Sequence, residues 1–279
     1  MICEKIDLYQ YFNIARPEKA NGYLNTYIQE KSTFVADRIR PAMLVIPGGG
    51  YAGVSSREKE QVALQFLADG YNAYTLEYSV GENVGDSVCY PYQLIEGCMA
   101  MAYIRENAEI QNTDVNHVGA IGFSAGGHLT AMLATLYDQK VVKEYLGEKA
   151  SLVRPDAVVL SYPVITANTY AHSGSLERIS GGDPELKKFL SLEERVTENS
   201  SPAFIWSTVQ DDAVPCENSF LMASAYRKVK VPFELHILTY GHHGLSIATQ
   251  ETNSPHPYVA KWYGLAKEWL DSLGFKINK

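Results

Sequence analysis

Long apolar runs are missing from this sequence. Nowhere do the eighteen or so consecutive apolar residues of a membrane-crossing helix occur. The opening segment, MICEKIDLYQYFNIARPEK, is broken by Glu4, Lys5 and Asp7 and holds no apolar stretch of the signal-peptide kind. Cysteine is scarce as well. Cys3, Cys89, Cys98 and Cys216 show no Cys-x-x-Cys or metal-type spacing, which argues against a disulfide framework and for reduced thiols in a cytoplasmic protein. Positive charge is in deficit: 24 Lys and Arg face 32 Asp and Glu, for a net charge of −8. No basic stripe offsets it, so nucleic acid and anionic membrane are excluded as main partners. Repeats, low-complexity tracts and linkers are absent too.

What remains is an ordinary globular composition, 46% hydrophobic and 20% charged over 279 residues. We expect one domain spanning 1–279. Short apolar runs alternate with amphipathic stretches. AMLVIP (42–47), YNAYTLEYSV (71–80), HVGAIGFS (117–124), AVVLSYPVI (157–165), AFIWSTVQ (203–210) and PFELHILTY (232–240) read as strands. Between and after them, 57–70, 91–110, 125–138, 217–229 and 258–273 read as helices, the first with apolar positions at Val62, Leu64, Phe66 and Leu67. This alternation implies a mostly parallel sheet with helices on both faces, and continuous apolar strands fit a sheet buried on both sides. The alternating segments EKIDLYQY (4–11) and GYLNTYIQEKS (22–32) predict an antiparallel pair at the sheet edge. Polar residues 166–200 interrupt the pattern, as a small lid insertion or a surface excursion.

One turn stands out. GFSAGG places Ser124 between Gly122 on one side and Gly126 and Gly127 on the other, where a buried strand meets a helix. Glycine is costly in regular structure, and here it lets strand and helix approach closely while the serine hydroxyl stands above the sheet. In open α/β sheets, ligands bind beyond the carboxyl ends of the strands. A serine cap with packing glycines would look similar, so the motif needs partners.

Three loops supply them. PGGGY (47–51) follows the first long strand and leaves glycine amides unshielded, so Gly49 and Gly50, with the amide of Ala125, are candidate oxyanion donors. A phosphate loop would need Lys after the glycines, where Tyr51 stands. QDDAVP (210–215) offers a carboxylate to orient a histidine, with Asp211 preferred to Asp212 as nearer the strand end. YGHHGLS (240–246) offers the histidine itself, with His243 preferred to His242 because Gly244 follows it. His117, His128, His172, His236 and His256 read as strand, helix or surface residues. The chain order Ser124, Asp211, His243, each in a loop after a strand, is that of one serine-hydrolase fold. Ser124 reads as the nucleophile. Among the 19 tyrosines, Tyr51 and Tyr162 are the candidates to line a substrate pocket and stack on a sugar ring.

Taken together, PGGGY, SSREKEQVALQFLADGYNAYTLEYSV, GFSAGG, QDDAVPCENS and GHHGLS resemble the α/β-hydrolase superfamily from about Pro41 onward. More narrowly they resemble the acetyl-esterase branch, with its acetyl xylan esterases and feruloyl-esterase-like enzymes. Hormone-sensitive-lipase-type esterases carry His-Gly-Gly-Gly, whereas Pro47 precedes the glycines here. The resemblance implies a carboxylic-ester hydrolase without a cofactor, with Ser124 as nucleophile, His243 as base and Asp211 as orienting acid. Its substrate would be a short-acyl ester of a small molecule or an oligosaccharide, and self-association is left open. Two other readings keep the scaffold: a small peptidase or amidase, and a binding protein without turnover. The first usually carries a propeller domain, and none fits this length. The second usually lacks one of the three residues, and all are present.

With no His-Glu-x-x-His or similar ligand cluster in the sequence, ester hydrolysis should survive dialysis against a chelator. A large loss restored by zinc would contradict the serine mechanism.

Overall fold

The structure, a computed structural model, describes residues 1–30, 38–81 and 88–278. Eight strands form one sheet: β1 (Lys5–Asp7), β2 (Tyr23–Tyr27), β3 (Arg40–Ile46), β4 (Asn72–Glu77), β5 (Thr113–Phe123), β6 (Val158–Ser161), β7 (Ala203–Thr208) and β8 (Phe233–Leu238). Their spatial order is β1-β2-β4-β3-β5-β6-β7-β8. β1 and β2 are antiparallel to each other, and β2 to β4. Every other pairing is parallel. The expected antiparallel edge is therefore present, although residues 31–32 of its second segment lie outside the described residues.

The continuous apolar strands have a simple cause. Ala42, Leu44 and Ile46 of β3 enter one core, while Met43 and Val45 enter the other. Side chains alternate across a strand, so a sheet covered on both faces needs apolar residues at every position. The helices that cover it are α1 (Leu8–Tyr11), α2 (Glu60–Ala68), α3 (Tyr92–Glu106), α4 (Ala125–Thr135), α5 (Lys140–Leu146), α6 (Ser173–Ser180), α7 (Pro184–Phe189), α8 (Glu217–Val229) and α9 (Lys261–Ser272). α3, α4 and α8 pack on one face and α2 and α9 on the other. This is the α/β-hydrolase arrangement.

Departures from the sequence reading have local causes. Leu8–Tyr11 turns into a helix because the Asp7 side chain caps it by accepting the Gln10 N–H. Leu64 is exposed, since Val62, Ala63 and Phe66 already form the inward face of α2. β6 stops at Ser161, well short of 165. Tyr162 takes a positive φ of 35°, and Pro163 has no N–H for the ladder. α5 was not foreseen. Residues 166–200 hold α6 and α7, and Leu176, Ile179, Leu190 and Leu192 of this stretch are wholly buried in the α3–α4–α8 core.

α4 is anchored from within. His128 is wholly buried, with Nε2 2.9 Å from the Leu190 carbonyl and Nδ1 2.9 Å from the Tyr51 hydroxyl. A carbonyl only accepts, so Nε2 carries the proton and Nδ1 accepts from Tyr51. Burial pushes this imidazole down to about 4 from its ordinary 6.5. The unfolded chain takes up the proton near pH 6.5 and the folded one only near 4. Stability from this group is thus complete above pH 6.5 and is lost as pH falls toward 4. The slope of unfolding free energy against pH in that window should be shallower in His128→Gln than in wild type, as urea titrations at several pH values would show.

Two glycines predict opposite outcomes. A methyl at Gly126 would lie 2.2 Å from the Ile46 carbonyl oxygen and 2.4 Å from that of Pro47. Gly126→Ala should cost about 3 kcal/mol or prevent folding. Gly264 of α9 has nothing within 4 Å of an added methyl, so Gly264→Ala should stabilise by about 0.5–1 kcal/mol. Urea denaturation compares both with wild type, and a Gly126→Ala protein of unchanged stability would contradict this packing.

Candidate active site

Ser124 sits between β5 and α4 with φ 53° and ψ −118°, a strained backbone for a residue bearing a side chain. The glycines around it permit this turn. A methyl at Gly122 would lie 2.1 Å from both the Gly126 carbonyl oxygen and the Thr130 hydroxyl. Strand, turn and helix are therefore in backbone contact, and Ser124 is directed to the carboxyl edge of the sheet.

Two further loops converge there. Ser124 Oγ lies 2.8 Å from His243 Nε2, and His243 Nδ1 lies 2.7 Å from Asp211 Oδ2. The carboxylate only accepts, so Nδ1 carries the proton and Nε2 offers its lone pair to the serine hydroxyl. Asp211 follows β7, and its other oxygen accepts the N–H groups of Ala213 and Val214, at 3.0 and 2.8 Å. The Asp211 side chain is 1% exposed and that of His243 20%. The neighbours have different places. Asp212 is exposed and accepts the backbone N–H of His243 at 3.3 Å, a bond that lowers its carboxyl below the ordinary value. His242 is exposed and donates through Nδ1 to the His243 carbonyl. Gly244 takes a positive φ of 78°, which supports the turn that carries the His243 ring inward.

The glycine loop after β3 closes the site. Gly49 and Gly50 have φ of 127° and 63°, and among the described residues their N–H groups have no hydrogen-bond acceptor. The Ala125 N–H, first in α4, likewise has none. A cavity of about 230 Å³ opens here, lined by Gly49, Gly50, Ser55, Arg57, Glu58, Ser124, His172, His243 and Gly244. Ala125 is wholly buried beneath it.

Tyr51 and Tyr162, expected to line this cavity, do not. They are 1% and 2% exposed, because each hydroxyl finds its partner in the interior. Tyr51 donates to His128. Tyr162 donates to Glu58 Oε1 at 2.7 Å and accepts the Ser246 N–H at 2.8 Å, with its ring edge-on to His243 at 5.0 Å between centroids. Burial pushes both phenols well above their ordinary range.

Sequence reasoning missed Arg57, Glu58 and His172. The first two were read only as the start of a helix. His172 was read as bland, yet it forms a wall of the cavity from the segment before α6. Its Nδ1 lies 2.8 Å from Ser175 Oγ. Burial first, and then the charges of His243 and Arg178, push its pKa down. Arg178 donates to the carbonyls of Gly50 at 3.3 Å and Gly174 at 2.9 Å. No spacing motif marks a residue brought in by so distant a segment. Among the described residues, no group of three His, Cys, Asp or Glu could hold a metal ion, and no helix is long and apolar enough to cross a membrane.

Both the sequence and the fold match known proteins. The chain is 42% identical over 216 residues to an endo-1,4-beta-xylanase B of Butyrivibrio fibrisolvens, a match covering 76% of this chain and 33% of that protein. It is 29% identical over 241 residues to an acetylxylan esterase of Xylanibacter ruminicola, covering 84% of this chain and 44% of that one. The chain thus spans less than half the length of either relative. A crystal structure of an acetyl ester-xyloside bifunctional hydrolase from Caldicellulosiruptor lactoaceticus superposes with a TM-score of 0.83 at 35% identity, covering 98% of this chain and 97% of that one. Residues 27–226 match the BD-FAE family, and the chain belongs to it.

Proposed function

We propose that this chain is a serine carboxylic-ester hydrolase acting on short-acyl esters of carbohydrates, acetyl esters first. The observation that carries this reading is the relay from Ser124 Oγ to His243 Nε2 at 2.8 Å and from His243 Nδ1 to Asp211 at 2.7 Å. His243 takes the serine proton as Oγ attacks the ester carbonyl, and Asp211 steadies the imidazolium that forms. The oxyanion then accepts from the amides of Gly49, Gly50 and Ala125, which hold no competing bond. His243 returns its proton to the departing alcohol. Water, deprotonated by His243, releases the acyl group from Ser124.

The substrate class rests on the cavity and the relatives. Among the described residues no large apolar side chain lines the roughly 230 Å³ space, which suits a short acyl group and a polar alcohol. Relatives named as acetylxylan esterase and acetyl ester-xyloside hydrolase support the same chemistry. Glycoside hydrolysis calls for a pair of carboxyl groups flanking the bond. Among the described residues the cavity wall offers only Glu58, and both its oxygens already accept hydrogen bonds. We read 1–279 as one domain, a cytoplasmic enzyme meeting acetylated oligosaccharides.

Replacement of each residue separates it from its neighbour. Ser124→Ala should lower turnover of an acetyl ester by roughly 10⁴-fold or more with the fold intact by circular dichroism. Asp211→Asn should cost up to about 10⁴-fold, since an amide favours the wrong histidine tautomer. Asp212→Asn, whose amide oxygen can still accept the His243 N–H, should cost far less. His243→Ala should be nearly inactive and His242→Ala close to wild type. A larger loss in Asp212→Asn or His242→Ala would reverse the assignment within that pair.

A further inference from the structure

Glu58 is a carboxylate that is 3% exposed, and among the described residues it has no ion-pair partner. A buried charge is unfavourable unless hydrogen bonds compensate it. Here they come from two separate loops. Oε2 accepts the Gly48 N–H at 2.8 Å, and Oε1 accepts the Tyr162 hydroxyl at 2.7 Å.

Each bond leads to one half of the proposed machinery. Gly48 immediately precedes the two glycines whose amides are free. It also lies against the serine turn: a methyl on Gly48 would be 2.7 Å from the Phe123 carbonyl oxygen and 3.0 Å from Ser124 Cβ. On the other side, the Tyr162 oxygen accepts the N–H of Ser246, three residues beyond His243. The Ser246 hydroxyl donates back to the Arg57 carbonyl at 2.7 Å, and the Ser246 carbonyl accepts the Trp262 indole N–H at 3.0 Å. Glu58, Tyr162, Ser246 and Arg57 therefore close a ring joining the glycine loop to the histidine loop. The Tyr162 ring fills the space between, edge-on to His243.

We propose that Glu58 is a positioning residue of the ester hydrolase, setting the placement of the glycine-loop amides relative to His243 and Ser124. The inference rests on the esterase reading and deepens it. Both Glu58 oxygens are occupied, so the carboxylate acts through Gly48 and Tyr162 rather than through substrate. The oxyanion exists only during reaction, so misplaced donors lower turnover more than ground-state affinity.

Glu58→Gln tests this directly. Its amide has one accepting oxygen, so either Gly48 or Tyr162 must face an NH₂ group that donates. With an acetyl ester, kcat should fall about 10- to 100-fold, the scale of an ångström-level misplacement, while KM stays within about threefold. Tyr162→Phe, which cuts the same ring at its other end, should give a like fall in kcat. The double variant should be no slower than the slower single one, because both act through one network. Three results would overturn the proposal: wild-type kcat in Glu58→Gln, a change confined to KM, or losses that multiply in the double variant. If Glu58→Gln does not fold by circular dichroism, Tyr162→Phe decides alone, and an unchanged kcat there refutes the proposal. A wild-type protein inert toward all acetyl esters removes the esterase reading itself, and this inference with it, an outcome distinct from failure of the ring.

Discussion

The near-contact between the start of α4 and the loop after β3 is the constraint on which the site depends. Where Gly126 passes the Ile46 and Pro47 carbonyls there is no room for a single methyl group. That closeness places the first turn of α4 beside the glycine loop, so the amides of Ala125, Gly49 and Gly50 belong to one small region. It also holds Ser124 in a backbone conformation it would not otherwise adopt. Strain at one residue persists because packing over-determines it: Gly122 meets Gly126 and Thr130, and Gly127 meets Pro163. The proposed nucleophile is thus fixed by backbone geometry, and its hydroxyl needs only a base.

The proposed base, His243, is placed by a different principle. Loops on a surface are free unless their polar groups find partners, and the 241–248 loop finds them inward. Thr208 donates to the Gly241 carbonyl at 2.7 Å, Tyr162 receives the Ser246 N–H, and Trp262 donates to the Ser246 carbonyl. Trp262 in turn stacks on Trp206 of β7, 4.8 Å between ring centroids. The strand that delivers Asp211 therefore also carries part of the wall against which the histidine loop is held. Asp211 and His243 share a support, and this keeps a 2.7 Å bond between residues 32 positions apart.

How much of this was legible in the sequence follows from the same physics. The strands and long helices could be read because burial on both faces imposes a composition. The Ser124, Asp211 and His243 loops could be read because glycine, carboxylate and imidazole at strand ends are rarely used for packing alone. The choice of Asp211 over Asp212 depended only on distance from the strand end. Tyr51 and Tyr162 were misplaced because a tyrosine beside a motif can turn either way, and only the position of a hydroxyl partner decides. Those partners, His128 and Glu58, lie 77 and 104 residues away. Sequence alone carries no record of that closeness. His172 was missed for the same reason, since the segment before α6 brings it to the cavity without any spacing to betray it.

Residues 166–200 also bear on how the cavity opens. Arg178 donates to the Gly50 carbonyl, and the Leu190 carbonyl accepts a hydrogen bond from His128. Leu176, Ile179, Leu190 and Leu192 are wholly buried in the core shared with α3 and α4. Exposing one such side chain costs about 1.5–3 kcal/mol, so swinging the whole segment away would consume much of the 5–15 kcal/mol by which a folded domain is stable. Residues 166–200 are thus anchored at both the cavity and the core. The proposed site keeps a floor that stays in place, with the half-buried His172 and the exposed Arg57 on its wall.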